Sequence, residues 1–313
     1  MPTKNAAIFR LSLPATSANL GPAFDAAALA FDLHLRLEAR AALADSIQAT
    51  GRDAHICGQI ENHLILTTYR EVLRSEGKQP IPLALRLHND IPIGKGCGSS
   101  AAARLAGIAL ANHYGHLRWS DARIVGEASR REHHPDNASA CWMGGLTVAR
   151  MSGNDEAQVA CIQPKGKWPL LLAVPPQPLP TEEARRVLPS QYSRADAVVN
   201  IQNSMLLLAA FTQGRTDLLT AALEDRMHQP YRATLCPLLS ALQELTGSPG
   251  ILGAVLSGAG PSVLIFLDPA SKAPLKKIAA RVAAYLHQKN LSAELLLTVI
   301  AVKGASAAYK TRR

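Results

Sequence analysis

The sequence predicts an α+β fold in two domains, on three observations. Segments of strand period and segments of helix period follow one another without the strict strand–helix–strand alternation of a parallel sheet. The chain has 313 residues, more than one small core usually holds. A polar, irregular stretch from Met151 to Lys167 interrupts it near the middle, placing the divide between residues 1–160 and 161–313.

The elements follow in order. From Phe31 to Arg40, Phe31, Leu33, Leu35, Leu37 and Ala39 point one way and the polar residues between them the other, the pattern of a half-buried strand. Leu83 to His88 repeats it until Asn89, Asp90 and Pro92 break it. A helix runs from Ser99 toward a stop at Gly115, and a second spans Asp121–Arg131 with Ser120 as its cap. Gly144 and Gly145 precede a short strand, Leu146–Ala149. The second half opens on the apolar strand Leu170–Val174, and Pro175, Pro176, Pro178 and Pro180 then force an extended turn. Helices are predicted at Thr181–Val187, Ala195–Phe211, Leu218–Met227, Leu235–Leu245 and Pro274–Gln288, with strands at Leu252–Leu256, Val263–Leu267 and Ala293–Ala301.

Composition narrows the function classes. Hydrophobic residues make up 48% and aromatics only 4%, so Ala, Leu, Val and Ile must build the core. No apolar run reaches the length of a membrane span, and no secretory signal is read at Met1–Arg10; the expectation is a cytoplasmic protein. Five cysteines without a C-x-x-C pair point to reduced thiols. The net charge of +9 suits small anions such as nucleotides. The basic clusters Arg130–Arg131, Arg185–Arg186 and Lys310–Arg313 are short and lack interleaved aromatics, which argues against nucleic acid. His133 and His134 lack the spacing of a zinc site.

Three motifs carry chemistry. The strongest is Pro92-Ile93-Gly94-Lys95-Gly96-Cys97-Gly98-Ser99-Ser100-Ala101-Ala102. Its alternate glycines let backbone approach a ligand closely, and it ends at a helix N-terminus whose free N–H groups favour an anion. Ser99 and Ser100 add hydroxyls and Lys95 a cation, which together make a phosphate cradle. The alternative is a glycine-rich turn without a ligand. No Gly-Lys is followed by Ser or Thr, which excludes a Walker A loop. Gly96, Gly98 and Ala101 match a dinucleotide fingerprint, but the loop is longer and the strand before it alternates, unlike a buried parallel strand. The second motif, Pro14–Asp25, is a non-periodic stretch offering Asn19 and Asp25; taken alone it reads as a surface turn with Asp25 capping Ala26–Ala30. The third, Gly253–Val263, reads as strand, Ser-Gly-x-Gly-Pro turn and strand, and Gly258 and Gly260 again permit close approach.

In this order and at this spacing the three loops resemble the signature motifs of the GHMP kinases, named for galactokinase, homoserine kinase, mevalonate kinase and phosphomevalonate kinase. Within the family the resemblance is to the homoserine-phosphorylating branch. Ser17-Ala-Asn-Leu-Gly-Pro22 before Phe24-Asp25 carries it, with His134-Pro-Asp-Asn137 before Gly144–Gly145, Thr181-x-x-Ala-Arg185, and Pro230-Tyr-Arg232.

The resemblance implies an N-terminal domain like ribosomal protein S5 domain 2 and a ferredoxin-like C-terminal domain. It implies ATP with its phosphates on Gly94–Ser100, and magnesium on Ser100 with an acid for which Glu127 and Glu132 both qualify. Asn19, Asp25, His134 and Gly258 would contact homoserine, and Arg185 and Arg232 would hold its carboxylate. Asp25, Lys95 and Ser100 would be catalytic, Asp25 either orienting or deprotonating the hydroxyl. A homodimer is the assembly the family suggests. Cys97, Ala23 and Ala259 depart from the family's usual residues, but none removes a charged or coordinating group.

Overall fold

A long hairpin opens the chain: β1 (Phe9–Asn19) runs antiparallel to β2 (Ala23–Ala41). The structure, a computed structural model, describes residues 8–153 and 156–310. In the far half of β2, Leu35, Leu37 and Ala39 are buried while Arg36 and Arg40 stand in solvent, as strand alternation dictates. β2 is the centre of a six-stranded sheet ordered β3 (Ser46–Gly51), β4 (Leu83–Asn89), β2, β5 (Leu146–Met151), β6 (Ala157–Ile162), with β1 also paired to β2. Among the described residues only β3 and β4 pair in parallel.

Helices α1 (Ala54–Cys57), α2 (Leu64–Ser75), α3 (Ser99–Tyr114), α4 (Asp121–Glu132) and α5 (Asp136–Met143) belong to this half. α3 packs among α2, α4, α5 and β1. Its run from Ala101 to Asn112 is apolar on nearly every side, the composition of a helix buried all round. Burying Leu105, Ile108 and Leu110 stabilises the fold by about 1.5–3 kcal/mol each, which fixes the axis whose N-terminus faces the site.

The second sheet is fully antiparallel, ordered β10 (Glu294–Val299), β7 (Pro169–Val174), β9 (Val263–Leu267), β8 (Ile251–Leu256). Helices α6 (Thr181–Arg186), α7 (Arg194–Gln213), α8 (Leu219–Ala222), α9 (Gln229–Arg232), α10 (Pro237–Gln243) and α11 (Leu275–Gln288) accompany it. The last helix, α12 (Ala305–Lys310), returns to pack on β1 and α5. One buried cluster runs from Leu13 and Leu105 through to Leu172, Val255 and Phe266, so the two halves share a core. Among the described residues no helix is long and apolar enough to cross a membrane.

The structure corrects three expectations. Pro14–Asp25 is the end of a hairpin, with Leu20, Gly21 and Pro22 between the strands; Asp25 lies in β2 and caps no helix. Alanine-rich segments carry no visible alternation, which hid β1 and the start of β2 before Phe31. The stretch Met151–Lys167 contains β6, whose residues Ala157–Ile162 pair one by one with β5. Leu218–Met227 holds only one helical turn, then Asp225 accepts from the N–H groups of Met227, His228 and Gln229 and turns the chain into α9. Beyond α4 the chain turns at His133 and leads at once into α5, which Gly144 closes. In the basic tail Lys310–Arg313, residues 311–313 lie outside the described residues, as do residues 1–7.

Candidate active site

The three glycine motifs meet. Gly94, Gly96 and Gly98 all take left-handed φ, at 69°, 77° and 71°. At Gly96 glycine is obligatory, since a Cβ there would lie 2.1 Å from the carbonyl oxygen of Ser257. Ser257 Oγ donates to the Gly96 carbonyl at 2.8 Å, and the Thr16 N–H donates to the Cys97 carbonyl at 3.1 Å. The Gly258 N–H reaches the Ala18 carbonyl at 3.1 Å, and Asn19 Nδ2 donates to the Gly258 carbonyl at 2.9 Å. The hairpin tips of both sheets thus clamp the loop from two sides. Cys97 faces inward; burial pushes its thiol up to about 12, leaving it a packing residue. Ala101 and Ala102 are buried beneath the loop too, while Gly94 and Ser100 are exposed. Pro92 is buried, and Ile93 and Ser99 are partly so.

Gly98 ends the loop as the residue before α3, with no side chain capping the helix. The first N–H groups of a 16-residue helix are therefore left for an anion. Beside them, Ser100 Oγ donates to Glu132 Oε1 at 2.7 Å, and Arg104 Nε holds the same oxygen at 2.5 Å. Glu127 lies elsewhere: it is buried and receives Arg130 and Arg131 at 2.7 Å each. The structure brings Glu132, not Glu127, to Ser100. Lys95 is half-buried and makes no ion pair among the described residues.

A second cluster forms where β2 leaves the hairpin. Asn19, Leu20 and Asp25 all adopt left-handed φ, a costly conformation for residues with a Cβ. Asn19 Oδ1 accepts from the Asp25 N–H at 2.9 Å, so Asn19 braces Asp25 against the third motif. Arg185 closes a fork on Asp25, at 3.1 and 2.9 Å. His134 Nδ1 meets Asp136 Oδ1 at 2.5 Å. Burial alone would lower the His134 imidazole, but Asp136, with Asp25 and Glu132 near, carries it above its ordinary value. One ligand atom from each of Asp25, His134 and Asp136 lies within 4.8 Å of the others. Arg185 already occupies both Asp25 oxygens, which disfavours a metal there. Arg232 is buried, with Nε donating to the Ala184 carbonyl at 2.9 Å.

The structure gathers Asn19, Asp25, Ser100, Glu132, His134, Arg185 and Arg232 around these two centres and leaves Glu127 apart. It spends several of them internally, since Asn19 and Gly258 bond each other and Arg185 holds Asp25. Sequence reasoning missed a cavity of about 400 Å³ beside the loop, lined by Ile56, Asn62, Ile65, Leu87, Ile91 and Ser100 among others. Its walls come from α1, α2 and β4, and no local pattern marks them. It also missed His228, whose only signal was its place before Pro230-Tyr-Arg232.

Comparison with known proteins agrees with this geometry. The model of the GHMP kinases N terminal domain matches residues 63–145, and that of the GHMP kinases C terminal domain matches 207–288. The homoserine kinase of Solibacter usitatus is 44% identical over 260 residues, covering 83% of this chain and 85% of its own. That of Synechocystis sp. is 34% identical over 302 residues, 95% and 97% of the two chains. The crystal structure of homoserine kinase from Cytophaga hutchinsonii aligns with a TM-score of 0.80 at 22% identity, covering 97% and 98%. Methanococcus jannaschii mevalonate kinase aligns at 0.65 and 14%, covering 96% and 99%. The last two likenesses are of fold.

Proposed function

The chain belongs to the GHMP kinases, within them to the homoserine kinases, and from that premise we propose that it phosphorylates the side-chain hydroxyl of L-homoserine with ATP. The product, O-phospho-L-homoserine, would serve threonine biosynthesis. The observation that carries the proposal is the meeting of a glycine-lined, uncapped helix N-terminus with a corner holding Asp25, His134, Arg185 and Arg232.

The base and ribose of ATP enter the cavity between α2 and β4, and the phosphates lie along Gly94–Ser100. Loop N–H groups and Lys95 balance the phosphate charge. Ser100 and Glu132 fit magnesium: both offer hard oxygen donors already in contact, and Arg104 holds the carboxylate in place. When bound, the ion would neutralise phosphate charge. The homoserine oxygen forms a bond to the γ-phosphorus as the bond to the ADP oxygen breaks. Asp25 orients that hydroxyl and can take its proton. The substrate carboxylate competes with Asp25 for the fork of Arg185, so its arrival frees Asp25 for the hydroxyl. Arg232 adds a second donor, and His134 contacts the amino acid head.

We assign residues 1–160 and 161–313 to two domains, with α12 crossing back to the first. A homodimer in the cytoplasm completes the reading, and light scattering tests the dimer. The primary test is coupled ADP release with ATP and magnesium across homoserine, mevalonate and other alcohols. Strongest turnover on homoserine is expected. ATP binding without turnover on any alcohol would overturn the proposal.

A further inference from the structure

His228 lies between the hairpin tip and α9 and is wholly buried. Its Nε2 faces the Gly21 carbonyl at 2.8 Å, and its Nδ1 faces Arg232 Nη1 at 3.2 Å. A guanidinium can only donate, so Nδ1 must accept and Nε2 must carry the proton. A single neutral tautomer satisfies both contacts. Burial, the foremost influence, drives the imidazole down to about 4, with Arg232 lowering it further and Asp225 opposing, so the ring stays neutral in ordinary buffers.

The ring also stacks on Phe24, centroids 5.3 Å apart at 25°. Phe24 in turn lies beneath both guanidinium carbons, 5.4 Å from that of Arg232 and 5.7 Å from that of Arg185. Arg232 Nε is fixed on Ala184, the neighbour of Arg185 in α6. With Nε and Nη1 so engaged, Nη2 alone has no protein hydrogen-bond partner among the described residues.

We infer that His228 is a positioning residue: by accepting from Arg232 Nη1 over the Phe24 ring, it aims Arg232 Nη2 at the carboxylate of the acceptor. The inference rests on the homoserine reading and adds what selects an acceptor bearing a carboxylate. Without the histidine acceptor, Arg232 can rotate about its last bonds, and its charge no longer meets the carboxylate at a fixed angle. His228 touches no reacting atom.

Three variants separate its two nitrogens. His228→Asn keeps an acceptor near Nδ1, His228→Gln keeps a donor near Nε2, and His228→Phe keeps only the stack. The KM for homoserine should rise about 10- to 100-fold in His228→Phe and His228→Gln, the worth of one hydrogen bond to a charged group. His228→Asn should recover most of the loss. The KM for ATP should stay within about threefold of wild type in all three, and kcat should move less than the KM for homoserine. Equal losses in all three variants, or a parallel rise in the KM for ATP, would reduce His228 to a structural role and overturn the inference. The failure of wild type to turn over homoserine would instead strike the substrate reading. In that case ¹⁵N NMR of the free wild-type protein still decides: an unprotonated Nδ1 at neutral pH, shifted in Arg232→Lys, supports the contact, and a protonated Nδ1 refutes it.

Discussion

Around the N-terminus of α3 the protein works with backbone, and around Asp25 it works with side chains. The loop offers amides and carbonyls, its left-handed turns are glycines, and its neighbours are the carbonyls of Ser257 and Gly260 and the N–H of Thr16. The corner also needs left-handed turns, but Asn19, Leu20 and Asp25 supply them. Each such residue costs about 1–3 kcal/mol, held in place by the ladder and by Asn19 and Arg185. The difference follows from the ligands. Any nucleotide presents the same phosphates, which amides can bind without a side chain. One small amino acid must be told from others, which takes charges at fixed angles. The glycine loop should therefore fail by losing its packing, and the corner by losing chemistry while the fold survives.

The largest expected effect is in the corner. Asp25→Asn keeps the shape and removes the charge, and kcat should fall about 10²- to 10⁴-fold, roughly 3–5 kcal/mol, with an unchanged melting profile. Coupled ADP release at saturating substrates measures it. Activity within threefold of wild type would mean that the proton leaves late and that Asp25 only positions the hydroxyl. The loop supplies the next effect. Gly96→Ala meets two carbonyls and a left-handed φ, and should cost about 2–4 kcal/mol in urea unfolding. Gly77→Ala shares the left-handed φ with nothing within 4 Å, and should cost only about 1 kcal/mol. Equal costs at the two sites would show that the clamp around Gly96 is looser than its distances say.

The same contrast decided what could be read from the sequence. Backbone work leaves glycines at fixed spacing, so Gly94–Gly98 and Gly258–Gly260 were legible before any fold. Side-chain work leaves single residues far apart: Asp25, His134, Arg185 and Arg232 became a set only through resemblance to a family. His228 was missed because a lone buried histidine has no pattern. β1 and the start of β2 were missed because Ala15, Ala18, Ala27 and Ala28 are small enough to be buried without contrast against polar neighbours. The long alternating and apolar segments, such as Phe31–Arg40, Ser99–Tyr114 and Leu170–Val174, were legible because tertiary packing and local pattern agree there.

Acid should act on the corner before the loop. His228 is held neutral down to about 4, whereas an unfolded histidine takes its proton near 6.5. Its folded value is depressed, so its contribution to stability is whole above pH 6.5 and is lost as pH falls toward 4. The unfolding free energy should drop with a slope of at most about 1.4 kcal/mol per pH unit from this residue. Urea titrations between pH 7 and 4.5 on wild type and His228→Asn measure the difference. Identical slopes would mean that the cavity around His228 admits a proton and that the ring is less enclosed than its burial implies.

The smallest effect is the sharpest test of where the two regions join. Glu132 closes α4 and reaches Ser100 across the loop, while Glu127, one turn earlier, is turned into Arg130 and Arg131. Both are carboxylates on one helix, and only their direction differs. Glu132→Gln should raise the magnesium concentration for half-maximal activity about tenfold, close to 1.4 kcal/mol, with little change in stability. Glu127→Gln should leave that concentration unmoved and lower stability by about 1 kcal/mol, because two guanidiniums lose the charge and one oxygen of their shared acceptor. The reverse outcome would move the ion to the arginine cluster and detach Ser100 from the metal. The expected outcome means that the backbone loop does not bind its nucleotide by amides alone, but borrows one carboxylate from α4, the helix that leads directly into His134 and Asp136.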